Sequence, residues 1–158
     1  VMGQRPFGIN PQDDIASLLR KAEASTLDLV RREIPTLTSL FALRNQPTVK
    51  PAVVMPQRSP KDGAIDWETT AADVDRFVRA QTRPYPGAFT TAGNHLIRIW
   101  RGRALQDSEL DTDAAHLGGA AFRCVDGWYL PEDFWIDDRA ATIEQLSEAL
   151  KGSHGRKL

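Results

Sequence analysis

The sequence predicts an α/β segment followed by a small, mostly β subdomain. Three observations carry this. A long run near the start spaces its apolar residues three and four apart, a proline-rich stretch follows it, and beyond residue 87 the pattern shifts to short alternating runs separated by hairpin-type dipeptides. With 158 residues, 41% apolar and 26% charged, the chain is long enough for one ordinary core and has the composition of a globular protein. No apolar run reaches the roughly 18–20 residues that a membrane-spanning helix needs, and no basic-then-apolar leader opens the sequence.

Val1–Ile9 reads as a strand already under way, and Val1 is not an initiator residue, so a longer chain is expected upstream. Asn10-Pro11-Gln12-Asp13 then marks a helix start: Asn10 is a capping type, Pro11 suits the first helical position, and Asp13 and Asp14 favour the positive end of the helix. Ile15, Leu18, Leu19, Ala22, Thr26, Leu29, Val30 and Ile34 form one apolar face, expected to be buried. Pro35 kinks or ends the helix, with Leu37 and Leu40 continuing the pattern. Residues 45–64 carry four prolines and little periodicity, as a linker or long surface loop does.

Thr70-Ala71-Ala72-Asp73 resembles a capping box, with Val74, Phe77 and Val78 on the inner face of the helix it opens. That helix ends by Arg83, because the residue before a proline disfavours the helical region. Pro84, Pro86 and Gly87, in the stretch "RPYPGAF", then set the angle between helix and sheet. Gly93-Asn94 is a hairpin turn followed by the alternating "HLIRIWR", and Asp126-Gly127 marks a second hairpin between "GAAFRCV" and "WYL". Thr142 and Gln145 form a further capping box, with Ile143, Leu146 and Leu150 on one face and Gly152 as the stop. The tail "SHGRKL" is expected to fray.

Charge is unevenly spread. Residues 50–105 hold nine Lys or Arg against five Asp or Glu, whereas residues 106–139 hold two against nine. The acidic stretch repels a polyanion and weakens a nucleic-acid reading. A single cysteine, Cys124, rules out an internal disulfide and fits a reducing compartment, so the cytoplasm is the expected location.

Few residues suggest chemistry. His95, His116 and His154 belong to no motif, and Cys124 sits among apolar residues as an inert buried thiol does. The sequence has no Cys/His spacing for zinc, no phosphate-binding glycine loop and no nucleophile elbow. Asp62 and Asp66, beside Trp67 in "KDGAIDW", are a carboxylate pair of the kind that serves general acid–base work. Equally, Asp62-Gly63 reads as a turn and Asp66 as a group that caps nearby backbone, and their spacing does not decide between the two.

Taken together, "RSPKDGAIDWETTAADVDRFVRAQTRPYPGAFTTAGNHLIRIW" resembles a stretch of the formyltransferases that use 10-formyltetrahydrofolate. In that family a "P-x-D-G-x-I-D-W" segment precedes a helix ending in "R-A", then "P-W/Y-P-G-A-F-T" and a strand ending near "I-W". Ser59 to Trp100 follow the same order, and the likeness extends over roughly residues 3–105. It implies an α/β remnant at 1–45, the last strand and helix of a Rossmann-like formyltransferase domain, with a linker or loop at 46–68. A linking helix and proline-rich hinge at 69–86, a small, shortened β-barrel (OB-like) subdomain at 87–150 and a flexible tail at 151–158 follow.

The resemblance also implies a donor, 10-formyltetrahydrofolate, for the parent enzyme. The family's catalytic asparagine and histidine lie in an "N-x-H-x-S-x-L-P"-like motif, and its aspartate would fall before Val1. None of the three is supplied by motif in this sequence, so no catalytic residue and no metal ligand is expected here, and donor binding by this chain alone is not expected. Arg58, Asp62, Asp66 and Tyr85 are the positions expected to touch substrate. "QRSPKDG" is closer to the "R-R-T-P-x-D" form of the nucleotide-sugar N-formyltransferases than to methionyl-tRNA formyltransferase. The expected acceptor is therefore the amine of a nucleotide-linked amino sugar. A tRNA-binding part is the alternative, favoured by a basic stripe at Arg101 and Arg103, and a non-catalytic dimerisation module built on "YLPEDFWI" is a third reading.

Overall fold

The computed structural model describes residues 3–36, 55–109 and 119–152. It divides into two compact units, Val1–Arg58 and Ser59–Leu158. Leu37, Leu40, the proline-rich stretch up to residue 54, His116 and the tail from Ser153 lie outside the described residues.

In the first unit, Gly3–Ile9 is extended but has no ladder partner among the described residues, where a strand was expected. It is tied to the helix by Arg5, whose guanidinium donates to Asp28 at 3.3 Å, and by Lys21, which donates to the Gly8 carbonyl at 3.2 Å. Helix α1 spans Ile15–Glu33 and begins four residues later than the Asn10-Pro11 signal suggests. The reason is local. Asn10 N donates to Asp13 Oδ2 at 2.7 Å and Asp13 N to the Asn10 carbonyl at 3.0 Å, so these residues close a turn of their own. Asp14 is the cap, accepting from Ser17 N at 2.7 Å while Asp14 N donates to the Ser17 hydroxyl. Lys21 beside Asp13 holds that carboxyl down at about 2. The expectation of a buried apolar face is corrected: no residue of α1 is buried, and Leu19, Leu27 and Val30 are exposed. Ile15, Leu18, Ala22 and Leu29 of the stripe are half-buried.

The second unit is a small α/β domain with an open antiparallel sheet. Its strands are β1 (Ala88–Ala92), β2 (His95–Leu105), β3 (Phe122–Arg123), β4 (Trp128–Ile136) and β5 (Arg139–Ala140). The order is β1-β2-β4-β3, with β5 also on β4. Because β2 occupies one side of β4, β3 and β5 share the other side, at opposite ends. The closed, OB-like barrel implied by the resemblance is not what the described residues form: two-residue strands at that edge leave nothing long enough to meet β1.

Helix α2 (Ala71–Gln81) lies on the sheet, chiefly against β2, and helix α3 (Ile143–Lys151) adds Leu146 to the same core. That core joins Val74 and Val78 of α2 to Ile97 and Ile99 of β2 and to Tyr129 and Phe134 of β4. Thr70 caps α2 by accepting from Asp73 N at 3.1 Å, and Asp126 adds a second cap by accepting from Ala71 N at 2.8 Å. Asp126 thereby fixes the β3–β4 turn onto the start of α2. Thr142 and Gln145 form the expected capping box of α3.

Two opposed irregularities shape the sheet centre. Ile99 faces Phe134, Arg101 faces Asp133 and Gly102 faces Pro131, so Trp100 is extra on β2 and Glu132 is extra on β4, and the register is then restored. On the side of β4 away from β2, β3 pairs only at Trp128–Tyr129 and β5 only at Trp135–Ile136, so no described strand flanks Pro131 there and a residue without an N–H is accommodated. Gly102 lets the two strands approach closely here, because a Cβ on it would lie 2.7 Å from two ring carbons of Tyr129. The Tyr129 ring is fully buried, its hydroxyl has no hydrogen-bond partner among the described residues, and burial pushes the phenol pKa up.

Candidate functional site

Two places in the second unit collect the residues singled out in the sequence. The first is the "DGAIDW" segment. Pro60–Gly63 forms one 3-10 turn, in which Asp62 Oδ2 accepts from Ser59 N at 2.5 Å. Ala64 then makes a single parallel bridge to Phe89, and Ile65 N donates to the Phe89 carbonyl at 2.8 Å. Asp66 Oδ1 accepts from Glu68 N at 2.9 Å, and the Thr69 hydroxyl donates to the Asp66 carbonyl. These two carboxylates thus cap local backbone. Trp67 anchors the segment: its indole stacks on Phe122 at 4.4 Å between ring centres, 6° from parallel, and its Nε1 donates to the Thr90 hydroxyl at 3.0 Å.

Between this segment and α2 lies an open groove of about 190 Å³, lined by Ile65, Val74 and Phe77 with Asp66, Thr69 and Asp73 among its polar walls. The Asp73 carboxyl is held below its ordinary range by the Thr70 hydroxyl and by Arg76, so it stays charged. The groove is smaller than the roughly 300–1,000 Å³ of pockets that take drug-sized ligands.

The second place is the corner "RPYPGAF". The Arg83–Pro84 peptide is cis, Tyr85 N donates to the Thr82 carbonyl, and Gly87 N donates to the Gln81 carbonyl, both at 3.0 Å. Gly87 has φ of +91°, and a Cβ there would come within 3.1 Å of both Arg98 and the Trp100 indole, so both backbone and space call for glycine. The Arg83 guanidinium lies 4.3 Å from the centre of the Trp100 ring and 6.0 Å from that of Trp135. Trp100 and Trp135 meet edge to face at 5.0 Å. Asp133 holds the guanidinium from the side at 2.7 Å. Arg98 ties the corner to the far turn, donating to the Pro86 carbonyl at 3.2 Å and pairing with Asp138 at 3.1 Å. In that turn His95 Nδ1 stands 2.7 Å from Asp137 and keeps its carboxyl below the ordinary range.

Of the four positions expected to touch substrate, Asp62 and Asp66 share the "DGAIDW" segment, Tyr85 is exposed on the corner, and Arg58 is exposed just before the second unit begins. Burial pushes the Cys124 thiol up to about 11, so it stays protonated and unreactive. Sequence reasoning missed the platform of Arg83 on Trp100 and Trp135. The one signal for it was an arginine placed just ahead of the cis-proline corner. Among the described residues no group of three or more His, Cys, Asp or Glu is placed to hold a metal ion, and no helix is long and apolar enough to cross a membrane.

Residues 58–134 match the family model described as the formyl transferase C-terminal domain. The match runs from Arg58 through the "DGAIDW" segment, α2, the corner and the strands as far as Phe134, just under half of the chain. It supports a formyltransferase C-terminal part, and with it a folate-type one-carbon donor for the parent enzyme.

Proposed function

We propose that this chain is the C-terminal portion of a formyltransferase that moves a formyl group from 10-formyltetrahydrofolate to the amine of a nucleotide-linked amino sugar. The chemistry belongs to the partner catalytic domain, since this sequence carries no catalytic motif of its own. The observation that favours a sugar acceptor over tRNA is the state of the arginines. Arg83 pairs with Asp133, Arg98 with Asp138, Arg101 and Arg103 with Glu132, and Arg123 with Asp107. Such surface pairs contribute little to stability, but each sets a carboxylate beside the arginines, and with Arg101 and Arg103 sharing Glu132 the expected stripe keeps one net positive charge rather than a basic track. A tRNA-binding surface works by releasing counterions from phosphates onto free basic groups, and its affinity falls steeply with salt.

The test is retention of tRNA by the chain, measured at low and at physiological salt. The expected result is no saturable retention at either. Retention with a steep salt dependence, weakened by Arg101→Ala, would replace the sugar acceptor with tRNA.

A further inference from the structure

The Arg83 platform has the form of a seat for a flat ring. Its Cζ lies 4.3 Å from the centre of the Trp100 ring, and Asp133 pairs with the guanidinium at 2.7 Å. The Arg83 side chain is nevertheless 53% exposed. Tyr85, two residues on, is 45% exposed, and Trp135 is half-buried beside the stack. Across the sheet from Asp133 stands Arg101, its side chain 71% exposed and its contact to Glu132 a loose 3.3 Å.

We infer that this corner binds the nucleotide part of the acceptor, with the nucleobase stacked on the exposed plane of Arg83 and Arg101 within reach of the phosphates. The inference rests on the nucleotide-sugar reading above and adds to it where the nucleotide sits. Stacking carries the recognition. A base set against a guanidinium that already lies over an indole gains from both cation–π and stacking attraction. Because Asp133 and Glu132 offset the charge of the two arginines, phosphate alone is not enough to bind. The bland alternative is a clamp that only fixes the angle of the corner, and it predicts no ligand.

Stacking of one base contributes about 1–3 kcal/mol, and with one exposed arginine near the phosphates the dissociation constant is expected at about 1 mM. The experiment is an NMR titration of the full chain with uridine 5′-diphosphate, following the Arg83 side-chain resonance and the Trp100 and Trp135 indole resonances. The account expects saturable shifts confined to these groups and their neighbours, similar but weaker shifts with uridine, and none with inorganic pyrophosphate. Arg83→Lys keeps a cation for Asp133 but removes the plane, and it is expected to weaken binding about tenfold. The unchanged remainder of the spectrum reports that this variant is folded. No saturable shift at up to about ten times the expected dissociation constant, equal shifts with pyrophosphate, or undiminished binding by Arg83→Lys would overturn the seat. None of these results would bear on tRNA, whose retention is the separate test of the acceptor class.

Discussion

Replacing Trp67 with alanine is expected to destabilise the unit Ser59–Leu158 by about 3 kcal/mol, toward the lower end of the range for truncating large aromatic side chains because the indole is only half-buried. Three contacts go together. The indole leaves the face of Phe122, the Thr90 hydroxyl loses its donor, and the tilted contact with Tyr129 at 6.4 Å is lost. The Ile65–Phe89 hydrogen bond and the Ala64 bridge would still tie the segment to β1. Trp67→Phe keeps the stack and loses the hydrogen bond, so it should cost nearer 1 kcal/mol. Urea unfolding reads both as a lower midpoint with an unchanged slope. A loss below about 1 kcal/mol for the alanine variant would mean that the segment is held by something other than its indole.

Gly102→Ala is the second large effect. The new methyl would sit 2.7 Å from ring carbons of Tyr129 and closer still to the Leu130 carbonyl oxygen. Both obstacles belong to β4, the strand that β2 must pair with, so neither can move aside without opening the sheet between its two bulges. Overpacking of this kind costs about 1–3 kcal/mol, and the backbone obstacle puts this case at about 3. Gly152→Ala is the control. There the nearest atom is 3.7 Å away and the backbone is helical, so the change should be neutral or slightly stabilising. Similar losses for the two variants would show that Gly102 has room that the strand pairing does not provide.

How much of this was legible in the sequence differs by element, and the reason is mostly the range of the interactions involved. The caps at Thr70 and Thr142 and the hairpins at Gly93-Asn94 and Asp126-Gly127 are local, and each appears where its residues point. The start of α1 was misplaced because two local signals compete, and the turn closed by Asn10 and Asp13 wins over the cap. The second hairpin is expected over "WYL", whereas β4 runs on through Pro131 to Ile136. What admits the proline, an edge left open between β3 and β5, depends on where those two strands pair. The turn to β5 was missed because Asp137 and Asp138 both adopt positive φ, a conformation usually marked by Asn or Gly. Their side chains are held from β2, by His95 and Arg98, about forty residues earlier in the chain.

The candidate site divides in the same way. The capping roles of Asp62 and Asp66 could be weighed from the sequence, because both act on backbone within three residues. The Arg83 platform could not, because Asp133 lies fifty positions further along the chain and meets Arg83 only once the sheet has formed. The apolar stripe of α1 was legible as a pattern, but a pattern does not say what covers it.

The central proposal is that this chain is the C-terminal portion of a formyltransferase and does not hold the donor by itself. Calorimetric titration of the chain with 5-formyltetrahydrofolate, a stable relative of the donor, tests that most directly. The predicted result is no heat beyond dilution, in keeping with a groove of only about 190 Å³ among the described residues. Saturable binding at micromolar affinity, lost in Asp66→Asn or Asp62→Asn, would contradict it and place part of the folate site on the "DGAIDW" segment.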